Sequence, residues 1–387
     1  MREGLGVGGS LDNAARRLLQ SIALRFGPAP FTPQEAAAAC ENAAAMSEVL
    51  LALRRLLEHG EIGAFQKTLG GLCFAVPFER SLQIAAELAE AALADARNAG
   101  IEAESDGRAD GKDMALDLLM LLDDIERRDI RLTRKGKIEQ KSVERWSRLV
   151  RRENEAAAAL LTASCPYPAA VAIALDLMMR LGLIRLDGET VQTDAGRIGQ
   201  WTAGKCADCR RKLYAEWLGV WCPDDGAARL IAMALPALPG GEWFCAEKLL
   251  SRAAAAGAVF GGKAGGDNTL SGQTKRFLAI LAEFGWLETG TARSGETVFR
   301  SLLSGEKDGA DEKIVIQSDL DVVVPPGVSY DAHRMLLAFA EPVSRDRAVI
   351  YRLSKNRSQL AWRQGWTWDR AIAGLERLAR FGVPEPV

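Results

Sequence analysis

Cys206-Ala207-Asp208-Cys209 spaces two thiols three residues apart, and Cys222 and Cys245 follow, a set that would supply thiolates to a tetrahedral zinc ion. The intervals after the first pair match neither a zinc ribbon nor a finger, and the pair falls within Trp201 to Trp217, which reads as helix. Packed, inert thiols are the expectation, with no metal site and no redox dithiol. General bases are scarce. His59 and His333 are the only histidines, and neither lies near a Ser or Cys nucleophile motif. His59 precedes Gly60 at a helix end, where an imidazole complements the helix dipole. The Gly-rich stretch Gly261 to Gly272 is followed by Gln273 and Thr274 where a phosphate-cradling loop requires lysine. No catalytic residue and no cofactor is expected, and the chain reads as a non-enzyme.

Cations are the more informative residues. Lys and Arg number 49 against 51 Asp and Glu in 387 residues, so the net charge of −2 creates no global field for a polyanion and any affinity must be local. From Gln83 to Glu126 there are twelve acids against three cations, whereas Arg131 to Arg152 holds nine cations against Glu139 and Glu144. Arg134, Lys135 and Lys137 cluster, and Lys141, Arg145, Arg148 and Arg152 follow at helical spacing, so one helix face would carry a positive strip able to displace counterions from phosphates. The competing reading is that this strip pairs with the acidic stretch before it. Lys275 and Arg276 stand near the start of a helix, with Arg293 and Arg300 in the hairpin after it. Arg352, Lys355, Arg357 and Arg363 interleave with Trp362, Trp366 and Trp368, a composition that would suit base stacking beside phosphate contacts but that packing also explains.

These residues are placed by a recurring pattern. Ser47 to His59 has helical apolar spacing with Ser47 as a cap, Gly60 ends it, and Glu61 to Phe65 and Leu72 to Val76 read as strands around Gly70-Gly71. Ala169 to Leu181, Gly182, then Leu183 to Arg185 and Thr190 to Gln192 around Asp187-Gly188 repeat the order. Ala246 to Ala255, Gln273 to Phe284, Gly285, then Trp286 to Thr289 and Thr297 to Leu302 around Arg293-Ser294-Gly295 give a third instance. Helix followed by hairpin is the end of a winged-helix unit. Glu102 to Asp113 reads as a solvated loop, and Ser304 to Lys313 as a polar linker. Beyond it come strands at Ile314 to Gln317 and Leu320 to Val324, a helix at Asp331 to Ala340, a strand at Ala348 to Leu353, and helices at Ser358 to Gln364 and Trp368 to Phe381.

In this last segment Ile316-Gln317-Ser318-Asp319, Val322 to Pro326, a helix ending in Phe339-Ala340, the phrase Tyr351-Arg352-Leu353, a helix leading to Gly365 and a final leucine-bearing helix follow one another in order. This segment resembles the helicase-associated module at the N-terminus of XPB-type DNA repair helicases, and the bacterial proteins that carry that module without the motor. Upstream, Arg131 to Ile138 followed by a helix is similar to a segment often found ahead of the module in bacterial relatives, where winged-helix units also occur. The family module commonly continues past the last residue here, so Val387 reads as a fragment boundary. No Walker lysine or helicase motif is present.

The fold expected is mainly α with small β-hairpins, as tandem winged-helix-like units plus a C-terminal α+β module. Its divisions are 1–130, helical and winged-helix-like; 131–202, the basic segment and second unit; 203–304, the third unit; and 313–387, the XPB-like module. The function expected is non-sequence-specific DNA binding through phosphate contacts by Arg134, Lys135, Lys137, Lys141, Arg145, Lys275, Arg276, Arg293, Arg300, Arg352, Lys355, Arg357 and Arg363. A helicase or other DNA-processing protein is the expected partner. The alternative is a protein-binding scaffold. The apolar stretch Ala156 to Leu175 is split by Pro166 and Pro168, and Met1 to Ser10 lacks an export signal, so no membrane partner and a cytoplasmic location are expected.

Overall fold

The computed structural model describes residues 11–40, 45–67, 70–96, 104–105, 112–150, 155–161, 165–255, 270–303, 313–346 and 348–385. Arg151, Arg152, Val387, most of the Gly261 to Gly272 stretch, most of the Glu102 to Asp113 loop and all of the Ser304 to Lys313 linker except Lys313 lie outside them. In chain order the elements are α1 (Asn13–Phe26), α2 (Pro33–Ala38), α3 (Met46–Glu58), β1 (Gly63–Gln66), β2 (Leu72–Ala75), α4 (Phe78–Ala96), β3 (Glu104–Ser105), α5 (Met114–Arg127), α6 (Gln140–Val150), α7 (Glu155–Ala158) and α8 (Ala169–Arg180). Then come β4 (Ile184–Asp187), β5 (Thr190–Thr193), α9 (Ala195–Thr202), α10 (Cys206–Val220), α11 (Gly226–Ala234), β6 (Phe244–Cys245), α12 (Ala246–Ala255), α13 (Gly272–Glu283), β7 (Leu287–Thr291) and β8 (Thr297–Ser301). The last are β9 (Val315–Ile316), β10 (Asp321–Val324), α14 (Tyr330–Phe339), β11 (Ala340–Arg345), β12 (Val349–Leu353), α15 (Lys355–Arg363) and α16 (Trp368–Leu378). The chain is mainly α with small antiparallel sheets, as the periodicity predicts.

Two compact units interleave along the chain. The first comprises 1–106, 218–279 and 289–301, and the second 107–217, 280–288 and 302–387. In the first, Asp12 caps α1 by accepting from the Ala15 amide, and Thr32 and Glu35 form a reciprocal capping box on α2 with Pro33 at its first position. Phe31, between those helices, pairs with Phe74 of β2 through two 2.8 Å backbone bonds. Helix α3 starts at Met46, and its N-cap Ala45 makes no side-chain bond, so Ser47 is inside the helix and not its cap. Helix α4 packs on α11 and α12, and β6 pairs with β8 through Phe244–Phe299 and Cys245–Val298. Arg229 of α11, with 3% of its side chain exposed, donates to the Leu24 carbonyl at 2.6 Å and ties down the end of α1.

In the second unit α5 is central. Met114 to Leu122 are buried, and the helix packs against α6, α8, β5 and α14. The segment after it returns to the hairpin: Arg131 bridges Thr190 of β5, and the Leu132 amide donates to the Glu189 carbonyl at 2.7 Å. The order helix, short strand, helix, helix, hairpin therefore recurs three times, with the four-residue α7 inserted in the second instance, and each time the short strand pairs with the end of the hairpin: Phe31 with Phe74, Arg131 with Thr190, Phe244 with Phe299. The predicted helix Trp201 to Trp217 is broken at 203–205 into α9 and α10.

The C-terminal segment forms one antiparallel sheet in the order β11-β12-β10-β9, with α14 and α15 packed beside β11. Strand β11 is unannounced by the sequence, which offers Pro342 in place of a β-branched alternation. Pro342 lacks an amide hydrogen and is accommodated because β11 is an edge strand with a register shift between Pro342 and Ser344. Helix α16 ends at Leu378, three residues before the predicted end, because Ala379 turns extended and bridges Ile314.

Candidate nucleic-acid interface

The turn 133–137 is built by its backbone. The Thr133 amide donates to the Lys137 carbonyl at 2.7 Å, the Gly136 amide to the Thr133 carbonyl at 2.8 Å, and Gly136 takes φ +68°, where a side chain would be strained. At the base of the turn Leu132 bridges Ile138, which is buried and whose amide donates to the Tyr167 hydroxyl at 2.9 Å. Arg134, Lys135 and Lys137 stand exposed at the tip, and Lys141 is exposed in the first turn of α6. Among the described residues none of these four forms an ion pair. They constitute a local excess of positive charge on a pinned scaffold.

Arg145, expected on the same strip, has a different role. Its Nε donates to both carboxylate oxygens of Asp124 at 2.9 and 2.8 Å, and the indole of buried Trp146 donates to the same group at 2.8 Å. Burial would raise the Asp124 carboxyl, but the bonds from Arg145 and Trp146 outweigh it and hold it below the usual carboxylate range. Thus part of the basic stretch pairs with the acidic one while its tip does not. Arg352 makes two bonds to Asp321, its partner across β10 and β12, at 2.7 and 2.9 Å. Arg357 donates to Asp123 at 2.6 Å, and Arg345, absent from the predicted set, donates to Asp117 at 2.7 Å. Lys355 and Arg363 are exposed.

In the first unit, Lys275 and Arg276 are exposed in the first turn of α13. That turn is fixed by Ser271, which accepts from the Thr274 amide at 3.0 Å, and by the buried Thr274 hydroxyl, which donates to Asp225 at 2.8 Å. Arg293 is exposed in the β7–β8 turn, and the Arg300 guanidinium lies 4.9 Å from the centre of the Trp243 ring.

The tryptophans divide. Trp362 and Trp366 are half-buried against Phe339, at ring distances of 5.4 and 5.0 Å, whereas Trp368 is 60% exposed. Cys206 donates to the Val328 carbonyl at 3.2 Å and Cys209 to the Trp201 carbonyl at 2.9 Å, and burial pushes the Cys206 thiol up to about 11. His59 Nδ1 meets the Arg55 carbonyl at 2.8 Å, in keeping with a helix-end role. His333 is buried, with Nδ1 2.8 Å from the Tyr351 hydroxyl.

Sequence reasoning missed the carboxylates of α5. Asp113 caps the helix and receives Arg210 at 3.0 Å and the Tyr330 hydroxyl at 2.8 Å. Burial opposes its ionisation, and the Arg210 charge with these bonds overcomes that, so its carboxyl titrates below the ordinary range. The available signal was four aspartates, 113 at the cap and 117, 123 and 124 within a helix whose residues 114–122 are otherwise apolar: charges spaced through a buried segment require partners.

Residues 314–387, which run from β9 through α16, match the family described as helicase conserved C-terminal domain. No curated protein matches the chain.

Proposed function

We propose that this chain is a non-enzymatic, helicase-associated protein that holds duplex DNA without reading its sequence and assists a DNA-processing partner in the cytoplasm. The match at 314–387 supports the helicase association. The finer resemblance, to the XPB-type N-terminal module, rests on the order of motifs from Ile316 to Gly365. The winged-helix reading is supported by the thrice-repeated order of elements and the return of each short strand to its hairpin. No described helix is long and apolar enough to cross a membrane.

The carrying observation is that Arg134, Lys135, Lys137 and Lys141 are exposed and lack ion-pair partners among the described residues, while Arg145, Arg352 and Arg357 are held by carboxylates. Unpaired lysines at a rigid turn displace counterions from phosphates, and paired arginines do so poorly. The test is fluorescence anisotropy with a non-specific duplex over a salt series. Affinity falling steeply with salt, and weakened by K135A/K137A, is expected; no binding at low salt would reject the reading.

One observation favours a protein-binding scaffold instead. Leu50, Leu51 and Leu57 of α3 are 48, 51 and 42% exposed, and Phe65 and Leu72 of the adjoining hairpin are 42 and 53% exposed. An apolar face of this kind suits protein contact better than phosphate contact.

A further inference from the structure

The second unit contains a cleft of about 560 Å³ whose walls are α14 and α16 and whose floor includes Leu119 and Leu122 of α5. Helix α16 presents Arg370, Ala373, Gly374 and Arg377 to it, at i, i+3, i+4 and i+7, and α14 presents Arg334. Ala373 and Gly374 are what leave the space: a β-carbon on Gly374 would collide with Met335 of α14.

Three guanidinium groups thus border one concavity, and among the described residues none of the three lies within ion-pair distance of a carboxylate, although the Arg334 charge favours the ionised form of nearby Glu126. Nearby arginines are in another condition. Arg127, at the back of the cleft, donates to Asp123 at 2.7 Å and to the Leu337 carbonyl at 2.5 Å, and Asp123 is shared with Arg357. The Arg370 guanidinium lies 4.4 Å from the centre of the Trp366 ring, an arrangement that steadies the planar group. The cleft also holds the carboxylates of Glu126 and Asp331, which suit ligand hydroxyls or amines.

We propose that this cleft binds a nucleotide through its phosphate, with Arg334, Arg370 and Arg377 as the phosphate donors and Glu126 and Asp331 as acceptors for sugar or base groups. Planar guanidinium forks match phosphate oxygens two at a time, and the volume is that of a small-ligand site. The nucleotide has two sources: a free mononucleotide, or one link of a single nucleic-acid strand. The site is distinct from the turn at Arg134 to Lys137 and does not depend on duplex binding there.

The test uses the full chain, with calorimetric titration of AMP and anisotropy of a labelled oligothymidylate. Saturable binding of either probe is expected. It should weaken by about tenfold or more in R370Q/R377Q, two exposed positions whose replacement leaves the core intact, and in Ala373→Phe, which fills the space. K135A/K137A should leave AMP binding unchanged, so failure of the duplex reading and failure of this one are separable. Preference for AMP identifies the free nucleotide as the source, and preference for oligothymidylate identifies the strand. Absence of binding by both, or binding that survives both cleft variants with unchanged affinity, overturns the proposal.

Discussion

Asp117 and Arg345 stand 228 residues apart in the chain and share a 2.7 Å ion pair from which water is nearly excluded, with 1% and 7% of their side chains exposed. The pair fastens β11 of the helicase-type segment to the central helix α5. Arg357–Asp123 repeats the connection from α15.

Asp117→Ala leaves the Arg345 guanidinium buried without its counterion, a loss of about 3–5 kcal/mol. Urea unfolding measures it. D117L/R345M removes both charges and is expected to regain much of the loss, which distinguishes an orphaned charge from a simple loss of packing.

Lys135→Ala and Lys137→Ala are each expected to lower the slope of log affinity against log salt by about one, with little change in thermal midpoint. Arg145→Ala has the opposite profile. It leaves the duplex slope in place and destabilises by about 1–3 kcal/mol, because Asp124 loses two bonds in a half-dry site. Anisotropy and unfolding of the same three variants separate surface cations from structural ones.

The positions of the hairpins were legible because glycines punctuate them: Gly60, Gly182 and Gly285 take φ of +71°, +66° and +72° at the end of the helix before each hairpin. Local rules reach that far. The Phe31–Phe74 pairing depends on a partner distant in sequence, and strand β11, although its partner β12 follows at once, carries Pro342 where a β-branched alternation would announce it. The basic strip illustrates the same limit. Helical spacing places Lys141 and Arg145 together, but only the fold brings Asp124 to one of them.

Gly285→Ala tests the tightest of these positions. A β-carbon there would overlap the Lys112 carbonyl oxygen, and the left-handed backbone adds strain, so a loss of at least about 2 kcal/mol is expected in chemical unfolding.

His333 makes the fold sensitive to acid. Burial lowers its pKa from 6.5 to about 4, with Arg345 and Arg210 acting in the same sense and Asp113 opposing. Between these values the unfolded chain takes a proton that the folded chain refuses, so stability falls as pH drops from about 6.5 to about 4, by about 3 kcal/mol. Unfolding curves across that window check the slope. His333→Gln, which retains a polar group facing Tyr351 but does not titrate, should flatten it.

The interleaving of the two units imposes an order on biosynthesis. Strand β6, at 244–245, obtains its hydrogen-bonded neighbour only when β8, at 297–301, has been made. A nascent chain halted between these points exposes an unsatisfied strand edge, and on the ribosome β3, at 104–105, must wait for roughly two hundred further residues before the sheet it belongs to is complete.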